Sequence, residues 1–102
     1  MTSIKTEVLL LTRNYVRSGG KFNRKQQLQR MLAFTSFCQD QGAKDLAQVG
    51  QKHVMAYYRD NKNLSHPTIY NHFLAITKLF ELALKNPPPR PYRTELIRYV
   101  NA

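Results

Sequence analysis

Apolar residues recur with a helical period along most of the chain, and nowhere do they alternate with polar residues over the length of a strand. The strongest signal lies at residues 64–86. Ser65 is placed as an N-cap, because its hydroxyl can accept from an unpaired first-turn N–H, and Pro67 sits in the first turn, where a missing N–H costs nothing. Ile69, Phe73, Ile76, Phe80 and Leu84 form an apolar stripe, with Leu79 and His72 beside it, and Thr68, Asn71, Ala75 and Lys78 form the opposite one. Asn86, before three prolines, is the expected stop. This stretch reads as the spine on which the other elements pack.

Three further helices are predicted ahead of it. The first runs from about Ile4 to Arg17, with Ser3 as N-cap, Glu7 near the positive end of the dipole, and Val8, Leu11, Tyr15 and Leu10 on its apolar side; Gly19 and Gly20 end it. The second opens at Asn23 as N-cap, continues to about Asp40 and stops at Gly42. Leu28, Met31, Leu32, Thr35 and Cys38 make its buried stripe, widened by Phe34, while Phe37 points further round, so that either the helix is buried on two sides or this ring meets another element. Leu46 and Val49 are expected to tuck an irregular or 3₁₀ segment onto the core before a third helix at Gln51–Asp60, with Val54, Tyr57 and Tyr58 inward. Beyond the prolines, Thr94 is placed to cap a short last helix carrying Leu96, Ile97 and Val100. The expected fold class is therefore all-α: four main helices over residues 1–87, then a proline-rich linker and short helical tail over residues 88–102.

Charge changes the picture from a fold to a function. The 102 residues hold 16 Lys and Arg against 6 Asp and Glu, a net charge of +10 and a pI near 10.1, which points to a polyanionic partner. The excess is localised: Arg13, Arg17, Lys21, Arg24, Lys25 and Arg30 fall in one stretch without an acid, whereas residues 35–65 carry four basic groups and three acids. No apolar run approaches the roughly 18 residues of a membrane span. No targeting segment is read, and the single Cys38 fits a buried thiol in a reducing cytoplasm.

Enzyme signatures are sparse. The six acids form no pair at helical spacing, Gly19-Gly20 lacks the residues of a phosphate loop, and His53, His66 and His72 with one cysteine make no zinc set. No catalytic residue, metal, cofactor or small-molecule substrate is expected. What remains is a binding surface: Lys21, Arg24, Lys25, Gln26, Gln29 and Arg30 at the start of the second helix, and His66, Thr68, Tyr70, Asn71 and Lys78 along the fourth. Cations replace phosphate counterions, and forked or amide side chains reach base edges, so this mixture suits duplex DNA.

The run Leu32-x-Phe34-x-x-Phe37-Cys38-x-x-x-Gly42, then Leu46-x-x-Val49, Val54-x-x-Tyr57 and Ser65-x-x-Thr68-x-x-x-x-Phe73-x-x-Ile76, resembles the N-terminal SAM-like, or core-binding, domain of tyrosine recombinases and phage integrases. The likeness covers about residues 4–87, and Pro87 falls where that family's linker to its catalytic domain commonly begins. It implies that the four helices form an orthogonal four-helix bundle, two crossed helical hairpins that clamp one side of a recombination site, with the second and fourth helices facing DNA. The family's catalytic Arg, Lys, His, Arg and Tyr have no counterpart here, Tyr92 and Tyr99 standing without that constellation. Both a fragment of a recombinase and a free-standing DNA-binding domain stay open, the Met1 start favouring a natural N-terminus. Two other classes also stay open: a protein-interaction module assembling through the tail at Leu96, Ile97 and Val100, and a small basic RNA-binding protein using Tyr57, Tyr58 and Tyr70.

Overall fold

Ser3 accepts from the Thr6 N–H through its hydroxyl and starts α1 (Ile4–Arg17), as its sequence requires. Three helices and a 3₁₀ turn follow: α2 (Lys21–Asp40), the turn Leu46–Gln48, α3 (Gln51–Asp60) and α4 (His66–Leu82). The computed structural model describes residues 3–18 and 20–91, the side chains of Lys21 and Phe22 excepted. Among the described residues there is no strand, and the helices cross and pack as a four-helix bundle. The expected helix after Thr94 lies outside the described residues.

The central element is α2 rather than α4. It is the longest helix, at 20 residues, and packs against α1, α4 and α3. Met31, Phe34, Thr35 and Cys38 are buried on it, and Leu28, Leu32 and Phe37 are half-buried, so its apolar residues wrap round more than one face. Phe34 is fully enclosed at the middle, 5.3 Å from the Tyr57 ring and 6.2 Å from Phe80. Phe37 reaches Tyr57 from the other side at 5.4 Å, which is the second partner its position called for. Ile4 and Val8 of α1, Val49, Val54 of α3, and Ala75, Ile76 and Leu79 of α4 complete the core. Thr12 and Thr35 are buried without orphaned hydroxyls, since each donates to the carbonyl one turn back, Val8 at 2.7 Å and Met31 at 3.0 Å.

Two polar side chains hold the connections. Glu7 accepts from the Leu46 N–H at 2.8 Å and fastens the 3₁₀ turn to α1. His53 accepts from the Gly50 N–H at 3.1 Å through Nδ1 and closes the start of α3, where the N-cap has no side chain to offer. Beyond α4 the chain turns back: Pro88 is buried, and the Tyr58 hydroxyl donates to the Pro89 carbonyl at 2.8 Å.

Several local expectations are corrected. Asn23 is not a cap: α2 begins two residues earlier, after Gly20 at φ +31°, and Asn23 is exposed within its first turn. Leu10 is 61% exposed, because Ile4, Val8 and Thr12 define the buried side of α1 and Leu10 points away from it. Ala75, placed on the polar stripe of α4, is fully buried, because that side of the helix also belongs to the core, with Ile76 and Leu79 beside it.

The end of α4 differs most. The helix stops at Leu82, not Asn86, and Leu84 lies outside it, 94% exposed. The stop has the same hydrogen bonding as the end of α2. There, Gly42 at φ +104° donates to Gln39 and Ala43 donates to Cys38; here, Leu84 at φ +58° donates to Glu81 and Lys85 donates to Phe80. Leucine thus occupies the left-handed position that glycine favours, at a cost of about 1–2 kcal/mol. Leu84→Gly is expected to stabilise the fold by about 1 kcal/mol, read as a rise of about 4–8 °C in thermal midpoint, because an exposed side chain leaves no cavity behind.

Candidate nucleic-acid interface

The turn after α1 brings its C-terminus and the N-terminus of α2 to one end of the bundle, and that end is basic. Arg13 and Arg17 are exposed on the last turns of α1, and Lys21, Arg24, Lys25 and Arg30 follow on the first half of α2. The acids among the described residues sit elsewhere: Glu7 and Asp45 hold the 3₁₀ segment, Asp40 ends α2, Asp60 ends α3, and Glu81 pairs with Lys78. The first turn of α2 has no acid and no capping side chain. Cations beside the positive end of a helix dipole cost stability unless an anion joins them, so this end of the fold is electrostatically incomplete on its own.

A groove of about 530 Å³ opens here, lined by Tyr15, Gly20, Asn23, Arg24, Gln26, Gln27, Arg30 and Asn71. Three helices contribute to it, and its lining carries two guanidinium groups, four side-chain amides and no acid. The two arginines are held differently. Arg24 donates through Nη1 to the Tyr15 carbonyl at 2.8 Å and to the Ser18 hydroxyl at 3.1 Å, with its guanidinium 4.5 Å from the Tyr15 ring centre. It caps the C-terminal end of α1 and is partly committed to the fold. Arg30 donates to the Gln27 side-chain oxygen at 2.7 Å, a neighbour on its own helix that aims the guanidinium without using up its fork.

Arg30 also reaches toward α4, where His72 is half-buried and its Nδ1 lies 3.0 Å from the Tyr57 hydroxyl. Burial, and then the Arg30 charge, hold the His72 pKa below its ordinary value of 6.5. An unfolded chain therefore takes up this proton first as pH falls, so stability is full above pH 6.5 and drops as pH falls through 6.5 toward the folded value. Urea midpoints measured from pH 8 down to 5 are expected to show this loss, and His72→Gln to flatten it. Other titratable groups of the core are inert at neutral pH: burial pushes the Cys38 thiol and the Tyr57 hydroxyl each up to about 12, and the Tyr58 hydroxyl higher still.

The groove thus gathers Arg24, Gln26, Arg30 and Asn71 from the eleven positions singled out in the sequence. Lys25 is exposed on α2 beside it, and Lys21 belongs to the first turn of the same helix. Lys78 stands near by, its ammonium 5.5 Å from the Tyr15 ring and 2.9 Å from Glu81. The other four do not line it. Gln29 faces a shallow depression with Lys5, Ser36 and Gln39; His66 borders a groove between α3 and α4 with Met55 and Ile69; Thr68 shares a hydroxyl bond with Ser65 at 2.8 Å; and Tyr70 packs on Phe73 at 5.5 Å. Sequence reasoning missed Tyr15, Asn23 and Gln27. Gln27 was within reach, as an amide inside an amide-rich run, whereas Tyr15 read as core and Asn23 as a cap.

No group of three or more His, Cys, Asp or Glu among the described residues is placed to hold a metal ion, and no described helix is long and apolar enough to cross a membrane. The described residues form a four-helix bundle with a basic, amide-lined groove at one end. Comparison with protein-family models, with curated proteins and with solved structures gives no match.

Proposed function

We propose that this domain binds duplex DNA through the groove between α2 and α4, in site-specific recombination or DNA integration, as the non-catalytic core-binding part of a tyrosine recombinase or a free-standing equivalent. The observation that carries the reading is the convergence of Arg24, Arg30, Gln26 and Asn71, from two helices, on one acid-free groove at the basic end of the bundle. Cations near the uncompensated start of α2 supply the sequence-independent attraction for phosphates, and amides supply hydrogen bonds that only a patterned ligand can satisfy. Recombination enters through the sequence resemblance, whose matched positions, from Leu32 to Ile76, span α2 to α4.

The test is an electrophoretic titration of the full chain against duplex DNA across a salt series. Binding that weakens linearly in log–log form with salt is expected, and absence of any shift at low salt would sink the proposal. Duplex RNA of the same sequence, run in parallel, separates this reading from a basic RNA-binding protein, because the deep, narrow major groove of A-form RNA hides its base edges.

A further inference from the structure

Within the groove, two side chains are set apart from the rest by how the fold treats them. Arg24 is tied by two hydrogen bonds to the end of α1 and stacked on Tyr15, so it positions the helix start. Arg30 is aimed by a single bond to Gln27, from the adjoining turn of its own helix, and retains a free fork. Across the groove on α4 is Asn71, which is exposed, whose side chain makes no hydrogen bond among the described residues, and which lines the same groove. Asn71 adjoins His72, whose Tyr57 contact at 3.0 Å seats that turn of α4 against the core. The two side chains therefore stand on rigid helices, anchored by Gln27 on one and His72 on the other, with their hydrogen-bonding ends unspent.

We infer that Arg30 and Asn71 are the base-reading pair of this domain, and that its preferred duplex carries a guanine and an adenine whose major-groove edges face them. The chemistry matches one to one. A guanidinium fork donates to both O6 and N7 of guanine, and an amide donates to N7 and accepts from N6 of adenine. A lysine at this position would offer a point charge rather than two parallel donors in a fixed plane. The inference rests on the DNA-binding reading above, and assigns the specificity of that same groove to these two residues.

The experiment selects from a pool of duplexes with a randomised central segment, using the full chain at moderate salt. It then measures the winning duplex with single guanines or adenines replaced by their 7-deaza forms, which lose the N7 acceptor. A shared guanine and adenine are expected, each 7-deaza replacement lowering affinity by about five- to a hundredfold. Arg30→Ala is expected to lose the guanine preference and keep the adenine one, and Asn71→Ala to do the reverse. A bound pool without a shared purine, a preference indifferent to 7-deaza replacement, or one that survives both variants would overturn this inference while leaving DNA binding intact. Failure to retain any duplex at low salt would bring down both.

Discussion

Lys25→Ala combined with Arg30→Ala is expected to lower affinity for duplex DNA by about ten- to a hundredfold at 0.1 M salt, and to reduce the slope of log affinity against log salt by about one unit. Lys25 acts through counterion release, in which a phosphate contact contributes about 0.9 to the slope and hence nearly a factor of ten at that concentration, and Arg30 through the lost base contact. Arg24 is left in place deliberately. Its bonds to Tyr15 and Ser18 mean that truncating it would loosen the α1–α2 corner and confuse a loss of folding with a loss of charge. Lys25 is exposed and Arg30 bonds only within its own helix, so circular dichroism and the thermal midpoint of the double variant should stay near wild type. A double variant with wild-type affinity and slope would place the polyanion site elsewhere on the surface.

Phe34→Ala is expected to destabilise the bundle by about 3–5 kcal/mol, measured as a fall in the urea midpoint. The side chain is wholly enclosed and is the ring on which Tyr57 of α3 and Phe80 of α4 meet α2. Its removal empties the junction of three helices at once, and rings on rigid helices cannot collapse fully into the space. Small domains have total stabilities of about 5–15 kcal/mol, so this one substitution is expected to leave a substantial unfolded fraction. The same truncation at Leu10, 61% exposed on α1, should change stability by less than about 0.5 kcal/mol.

Helix positions were legible wherever a local signal and the core agreed. Ser3 and Ser65 mark their helix starts because a hydroxyl beside free N–H groups works the same way in any context. Gly42 marks the end of α2 because the left-handed turn there suits a residue without Cβ. The 3₁₀ segment with Val49 buried beneath it, and the inward set of α3, also followed from spacing alone. The same logic failed at the end of α4, where the fold places leucine in a conformation that sequence rules reserve for glycine. It failed too at Asn23, whose side chain suits a cap that Gly20 made unnecessary. Ala75 and Leu10 were misplaced for a further reason: hydrophobicity says which residues gain by burial, but the angle between neighbouring helices decides which side of each faces inward.

For the candidate site, the sequence by itself determined the ingredients: an acid-free basic run from Arg13 to Arg30, amides on the same helix, and a polar edge on α4. Charge and hydrogen-bonding capacity belong to residues, and survive any arrangement of the chain. Only the tertiary structure decided which of them meet. It joined Arg30 to Asn71, forty-one positions apart, in one groove; it spent Arg24 on the end of α1; it set Gln29 and His66 at other depressions; and it engaged Thr68 with Ser65 and Tyr70 with Phe73. The reason is the packing of α4 against α2, which is set by Phe34, Phe80 and Ile76 in the core and not by any property of the polar residues themselves.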